Sequence, residues 1–587
     1  MKNAFAIGLM LLLLGASAIA QTTAAAKSDK RAGTISGRLT DTSGQPLPHA
    51  LVYVTGASSL RRETRNTSTD EQGRFRVTDL ARGVYNVWPG VPGYVTVEGE
   101  TARRTYRAGD TANFTLTKGG VITGTVTTPT NEPLTGCGVQ AIRVRDKDGH
   151  AVTISRSSGF ASTDDRGVYR IYGLLSGTYV VFASGKRAYM NEASIYENDM
   201  PTYYPSSTRD TTQPISVQAG EEASGIDIRY RGERGHAISG KLAGVPADIN
   251  MGVSLELYNV ASRAMEAQGF AGNNFPGSSI ADGYAFYGVA DGDYLVTATT
   301  NSFNSSFRGS GRAYVKVRGA DVTGIDLPLT AYGSIAGTLL IEPVRSAEGQ
   351  NKCEIKRRLM PDEMLVAVRP EKQAAEFHPY ATGVRNDAPS DKGEFAFTGL
   401  EAGQYRVLPA MLGEDYFVRS MTLPAPAKNQ PPVDAARSPL TIKAGERLGE
   451  LTVTVAEGAA ALRGRVVPAT EGARLPDRLR VHLVPAEKEA AGDVLRYGEA
   501  RVAADGAFTF QNLAPGRYLI IARPSADDDT SDEAPPPVAW NAAARATLLK
   551  QAAAANLTLD LQPCQRLTDY ALKYTPPAPL PVRKKNP

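Results

Sequence analysis

One aromatic frame recurs five times along this chain, and it constrains the fold more than any other feature. Its core reads DLARGVYNV at 79–87, GLLSGTYVV at 173–181, GVADGDYLV at 288–296, GLEAGQYRV at 399–407 and NLAPGRYLI at 512–520. An earlier aromatic stands ten residues before each tyrosine: Phe75/Tyr85, Tyr169/Tyr179, Tyr284/Tyr294, Phe395/Tyr405 and Phe508/Tyr518. Before that aromatic comes an acidic or polar residue closely followed by Gly, as in TDEQG (69–73) and TDDRG (163–167). Such pairs are turn chemistry, because Asp bonds its own backbone and Gly accepts a positive φ. GRFRV and GEFAF then alternate apolar and polar residues, the period of a half-buried strand. Each frame is therefore two strands joined by a corner, and five copies predict five units of one kind.

Two more elements repeat with the frame. An opening strand with a central Gly lies upstream: TISGRL (34–39), VITGTV (121–126), AISGKL (237–242), SIAGTL (334–339) and ALRGRV (461–466). A Gly turn and an alternating closing strand lie downstream, as in VQAGEEASGIDIRY (217–230), VRGADVTGIDLPL (317–329) and IKAGERLGELTVTV (442–455). The fifth copy is expected to close with ANLTLDL (555–561). A unit of this size matches a small β-sandwich of about 100 residues. Leu-x-x-Gly-x-Tyr is also the pattern of a tyrosine corner, in which the phenol bonds backbone a few residues upstream and secures the crossover. Tyr85, Tyr179, Tyr294, Tyr405 and Tyr518 are thus expected to be structural rather than catalytic.

ISGRLTDTSGQPLPHALVYV (35–54) followed by STDEQGRFRVTDLARGVYNV (68–87) resembles a carboxypeptidase regulatory-like domain, also described as transthyretin-like. Gly37, Asp41, Gly44, Pro46, Leu47, Ala50, Val52, Asp70, Gly73, Phe75, Leu80, Gly83 and Tyr85 occupy the hallmark places. The later copies alter or lose the Asp-x-x-Gly-x-Pro-Leu turn; the second has TPTNEPLTG (128–136). The resemblance implies an antiparallel Greek-key β-sandwich and an accessory module grouped with carbohydrate-binding-like folds. The expected fold is all-β: a tandem array of five small antiparallel Greek-key β-sandwiches, with one short helix near the C-terminus. The units are placed at 33–118, 119–232, 233–331, 332–457 and 458–563, with a disordered basic, Pro-rich tail at 564–587. The helix is expected in the Ala-rich VAWNAAARATLLKQAAAA (538–555). Linkers are short (TKGG, RGERG, EGAA), so little flexing is expected between neighbours.

Residues 1–20 carry a positive Lys2, an apolar run and Ala18-Ile19-Ala20 before Gln21, the layout of a secretory signal peptide; 21–32 is a linker. No later run reaches the roughly 18 apolar residues of a membrane helix. The expected location is secreted, periplasmic or cell-envelope. Basic and acidic residues nearly balance, 65 against 61, and no long basic stripe points to nucleic acid. Cys137, Cys353 and Cys564 lie more than 200 residues apart without Cys-x-x-Cys spacing. An odd count leaves at least one thiol unpaired, and all three are expected to be isolated thiols.

Catalytic motifs do not emerge. The sequence contains no His-Glu-x-x-His and no Gly-x-Ser-x-Gly, and its five histidines are scattered without a local pair. No cofactor or metal is expected. Specificity would sit in insertions on the repeated scaffold. The richest, GKRAYMNEASIYENDMPTYYPSSTRDTTQP (185–214), sets Tyr189, Tyr196, Tyr203 and Tyr204 among Glu192, Glu197, Asn198 and Asp199. Aromatic faces beside acids and amides suit sugar rings; the plainer alternative is a hairpin packed on its own domain. NSFNSSFRGSGRAY (301–314) is expected to be a mobile hairpin or loop, and 421–440 to be Pro-rich and extended. SADDDTSDEAPPP (525–537) lacks the EF-hand order and is expected to be a solvated acidic loop. Two functions follow: a non-catalytic exported protein binding extracellular or envelope polysaccharide, or a structural or adhesive spacer at the envelope that meets an envelope protein.

Overall fold

The computed structural model describes residues 33–575 except 60–62, 97–103, 153–158, 185–195, 245–251, 272–282, 301–306, 345–352, 354, 356, 372–384, 411–412, 426, 471–472, 477 and 526–536. The expected signal peptide and linker, Tyr189 and nearly all of the acidic stretch lie outside the described residues, as does the chain beyond 575.

The first unit sets the plan. Its strands are β1 (Gly33–Asp41), β2 (Leu51–Gly56), β3 (Thr64–Ser68), β4 (Arg74–Leu80), β5 (Val84–Gly90), β6 (Tyr94–Thr96), β7 (Arg104–Arg107) and β8 (Phe114–Lys118). One sheet runs β4-β1-β8-β6 and the other β3-β2-β5-β7. Alternate residues of both sheets, among them Ile35, Val52, Phe75, Tyr85 and Phe114, meet in a closed core. Each large apolar side chain buried this way stabilises the unit by about 1.5–3 kcal/mol. Two turns fit the sequence reading: Asp70 Oδ1 accepts the N–H groups of Gln72 and Arg74, and Asp164 Oδ1 those of Arg166 and Val168.

The two-sheet plan repeats four times. Opening strands are Gly120–Thr127, His236–Ala243, Gly333–Glu342 and Ala460–Pro468, and each unit has its own apolar core. In every unit the opening strand pairs antiparallel with the strand of the first aromatic. On its other side it pairs parallel with the closing strand. The two ends of a unit can pair in parallel because the whole unit forms the long crossover that parallel pairing needs.

A corner residue with left-handed backbone precedes the apolar position that recurs in each frame (Leu80, Leu174, Val289, Leu400, Leu513). It is Asp79, Gly173, Gly288, Gly399 or Asn512, with φ between 57° and 72°. These are the residue types that tolerate that conformation.

Two expectations need correction. Residues from 564 are not all tail: Arg566–Tyr574 is a nine-residue strand paired in parallel with the opening strand of the fifth sandwich, and it buries Leu572 and Tyr574. The cysteines are not all isolated: Cys353 of the fourth unit is disulfide-bonded to Cys564 of the fifth, with Cα atoms 5.5 Å apart. Cys137 is free and buried, and burial pushes its thiol up to about 12. The helix, α1 (Ala542–Ala555), is capped by the Asn541 side chain at the Ala544 N–H and ends on left-handed Asn556. Leu548 and Ala552 seat it on Val484 of the fifth sandwich.

The units also touch beyond their sequence neighbours. The first sandwich returns to the fourth: Arg82 Nε lies 2.9 Å from Asp362 Oδ1. The Ser59 N–H and hydroxyl donate to Asp387 at 2.6 and 3.0 Å, and Val84 packs with Leu365 and Ala388. The fifth is fixed to the fourth by the disulfide, by Arg566 on Glu414 and Asp415, and by Asn512 Nδ2 donating to the carbonyls of Gly413 and Tyr416.

Candidate ligand-binding surfaces

The five frame tyrosines face inward, each 7% exposed or less. Their hydroxyls donate to the carbonyl four residues upstream: Tyr85 to Ala81, Tyr179 to Leu175, Tyr294 to Ala290, Tyr405 to Glu401 and Tyr518 to Ala514, at 2.7–2.9 Å. Burial raises the phenol pKa of Tyr294, Tyr405 and Tyr518, that of Tyr405 to about 12. A neutral phenol is what such a bond requires, since it must donate. They sit in five separate cores and share no cleft.

The central glycine of each opening strand has an equally local cause. A Cβ on Gly37, Gly124, Gly240, Gly337 or Gly464 would stand 1.8–2.3 Å from the carbonyl oxygen of Ala112, Ile226, Ile325, Leu451 or Tyr570. In the last four units the residue before that carbonyl has positive φ (Gly225, Gly324, Glu450, Asp569), so a bulge in the closing strand turns the oxygen toward the glycine. Where the first aromatic is Tyr, its hydroxyl bonds the same oxygen: Tyr169 to Ile226 at 2.6 Å and Tyr284 to Ile325 at 2.7 Å. Where it is Phe, its ring lies within 2.6–2.8 Å of the place a Cβ would take. The recurrence of Gly was plain in the sequence; its partner, about a hundred residues away, was not.

Of the described tyrosines in the Tyr-rich insertion, Tyr203 is buried and Tyr196 and Tyr204 are half-buried. Thr202–Tyr203 forms an edge strand against Phe182–Ala183. Tyr203 is 5% exposed, its ring 5.0 Å from that of Phe182, and it packs with Ala264 of the third sandwich. Arg209 Nε donates to its hydroxyl at 3.3 Å, and the same guanidinium pairs with buried Glu266 across the boundary. Tyr196 meets the edge of Tyr230 at 5.7 Å, and Tyr196 and Tyr204 both pack against the core of the second sandwich. Tyr203 is thus packing rather than a sugar-stacking face, whereas Tyr196 and Tyr204 are half-buried.

Among the described residues, Asp146, Asp148 and His150 could offer a metal ion three ligands. Asp146 Oδ1 already accepts the N–H groups of Asp148 and His150 as a turn, and the guanidinium of Arg478 approaches His150 Nε2 at 3.4 Å. A cation so placed opposes a second one. His482 is fully buried in the fifth sandwich; burial, then Arg523 and Arg480, lower its pKa to about 3. Its Nε2 accepts from Arg523 Nε at 3.2 Å, a neutral imidazole held in place.

Among the described residues, two of the cavities lie between sandwiches. One of about 250 Å³ between the fourth and fifth is walled mainly by apolar groups, including Val418, Leu495 and Trp540. The other, of about 320 Å³ between the third and fourth, is lined by hydroxyls, two carboxylates and two guanidiniums.

No curated protein sequence matches the chain. Among solved structures, the Bacillus anthracis TIE protein aligns at 12% identity over 78% of this chain and 74% of its own, with a TM-score of 0.14. The shaft pilin SpaA from Lactobacillus rhamnosus GG aligns at 11% identity over 33% of this chain and 96% of its own, TM-score 0.16. BcpA, the major pilin subunit of Bacillus cereus, aligns at 12% identity over 51% of this chain and 99% of its own, TM-score 0.14. Residues 34–117 match the model of the carboxypeptidase regulatory-like domain, so the chain is an all-β, multi-sandwich protein whose first unit is similar to that domain.

Proposed function

We propose that the chain is an exported, non-catalytic scaffold of the cell envelope, five sandwiches held as one body that spaces or anchors its partners. The return of the first sandwich to the fourth, through Arg82–Asp362 and Ser59–Asp387, is the observation that carries this reading. A chain built only to reach would have no use for a contact that folds it back. The residues that recur in all five units hold those units together, which leaves little of the repeat for chemistry. The Cys353–Cys564 bond supports export, since such bonds persist in oxidising compartments. No described helix is long and apolar enough to cross a membrane.

Polysaccharide binding through the Tyr-rich insertion loses the buried Tyr203 as a platform and would rest on half-buried Tyr196 and Tyr204. Fractionation of the source cells with mass spectrometry of the mature chain tests the scaffold reading. An extracytoplasmic chain beginning at Gln21 is expected; a cytoplasmic chain that keeps residues 1–20 overturns export. Retention of the purified protein on insoluble polysaccharide, abolished by Tyr203→Ala/Tyr204→Ala, would restore the insertion as a sugar site.

A further inference from the structure

The face that the third sandwich turns toward the fourth is polar although it is covered. Strands Val253–Asn259, Gly292–Thr300 and Gly309–Val317 lie side by side. Their register sets Ser254 opposite Thr299 and Thr299 opposite Ser310, with Glu256 opposite Thr297 in the next row. The residues between them in sequence, Leu255 and Ala298, belong to the core of the sandwich. The five polar side chains therefore share the outer face.

The fourth sandwich stands over this face. The Ser310 hydroxyl donates to Glu401 Oε1 at 2.8 Å, and Arg312 lies 3.8 Å from Glu401 Oε2. Beyond these contacts the two surfaces part and enclose the cavity of about 320 Å³. That volume lies in the range of small-molecule sites, roughly 300–1,000 Å³.

An interface that served only to join two sandwiches would be more stable with apolar groups here, because buried polar groups must be satisfied. Glu256 is instead 5% exposed, held by the Tyr258 hydroxyl at 2.9 Å and approached by that of Thr297 at 3.4 Å. The rest of the lining is mixed: half-buried Pro370 and the ring of Tyr332, whose hydroxyl bonds Ser310 and Thr299, stand beside Arg385 and Glu401, while Val368 and Leu400 belong to the core of the fourth sandwich. Glu256 and Glu401 share the site with Arg308 and Arg385, and Arg312 stands behind Glu401. The site thus has a hydrogen-bonding floor, apolar surface at Pro370 and Tyr332, and carboxylates set among guanidiniums, which suits a ligand carrying hydroxyls on its edge and C–H groups on its face.

We propose that this cavity binds a neutral sugar of one or two rings, its hydroxyl edge on the Ser254–Thr299–Ser310 row and Glu256, its C–H face on Pro370 and the ring of Tyr332. The site is distinct from the Tyr-rich insertion, and the proposal stands independently of export or scaffolding.

Isothermal titration of the full mature chain with glucose, galactose, mannose, N-acetylglucosamine, cellobiose and maltose tests it. At least one is expected to bind with a Kd below about 1 mM. Thr299→Val/Ser310→Ala should weaken that binding about tenfold or more, while Tyr203→Ala/Tyr204→Ala leaves it unchanged. Circular dichroism and thermal unfolding check that the cavity variant folds; should it not, Ser254→Ala replaces it with the same expected direction. Electrophoresis through gels containing dextran, xylan or laminarin distinguishes the source. Retardation of the wild type and not of the cavity variant assigns the site to sugar units within a polymer, and binding of free sugars alone assigns it to small saccharides. The proposal is overturned if no sugar or polymer binds, if the cavity variant binds like the wild type, or if only the tyrosine double variant loses binding.

Discussion

Replacing Tyr179 by Phe removes one oxygen from a fully buried ring and leaves its packing in place. The hydroxyl donates to the Leu175 carbonyl at 2.7 Å, inside a core that also holds Ile122, Val181 and Val217. A typical hydrogen bond contributes about 0.5–1.5 kcal/mol net, and stranding a buried carbonyl costs about 1–3 kcal/mol. The substitution is therefore expected to destabilise the second sandwich by roughly 1–3 kcal/mol. Five units need not unfold together, so one global transition would blur the effect. Hydrogen exchange read by mass spectrometry is local. Amides of Gly177–Ser184 should exchange roughly five- to a hundred-fold faster, while those of the other four units change little. Tyr172→Phe is the control: that side chain is 55% exposed, and its loss of a hydroxyl should stay within about 0.5 kcal/mol. Equal exchange in the two variants would refute the corner as a source of stability.

Gly337→Ala sets a methyl 2.1 Å from the Leu451 carbonyl and 2.6 Å from the Phe395 ring; it should destabilise the fourth sandwich by at least about 1–3 kcal/mol, read as a lower urea midpoint for that unit. Alkylation counts the thiols: none should react in the native chain, one (Cys137) in denaturant, and three after reduction, and a different count would contradict the Cys353–Cys564 pairing. His482 has a folded pKa lowered to about 3 from 6.5, so the unfolded state binds the proton first. Its contribution is therefore full above about pH 6.5 and is lost as pH falls toward 3, with a slope of at most about 1.4 kcal/mol per unit. His482→Gln should flatten that part of the acid unfolding curve of the fifth sandwich, and an unchanged curve would show that the imidazole is not held neutral.

How much of this was legible in the sequence depended on distance along the chain. The turn at Asp70–Gly73, the alternation of Arg74–Leu80 and the position of Tyr85 are local signals, and all five frames carry them. The last strand of the fifth sandwich was missed because its bulge, with Asp569 at φ 60°, breaks the alternation of Arg566–Tyr574 and hides Leu572 and Tyr574 as a continuation. The partner of Cys353 lies 211 residues away and is brought to it by the docking of two units. Tyr203 looked like a surface aromatic because its neighbours are polar, yet it is covered by a different sandwich through Ala264. The cavity between the third and fourth sandwiches draws on residues from Ser254 to Tyr405, each unremarkable in its own strand.

Small-angle scattering of the mature chain tests most directly whether the five sandwiches form one body. Units of about 13 Å radius of gyration, folded back so that the first meets the fourth, give an overall value of about 30 Å; the same units end to end give about 50 Å. A value near 30 Å that rises in Arg82→Ala/Asp387→Ala is the expected result. A value near 50 Å for the unaltered chain would contradict the account.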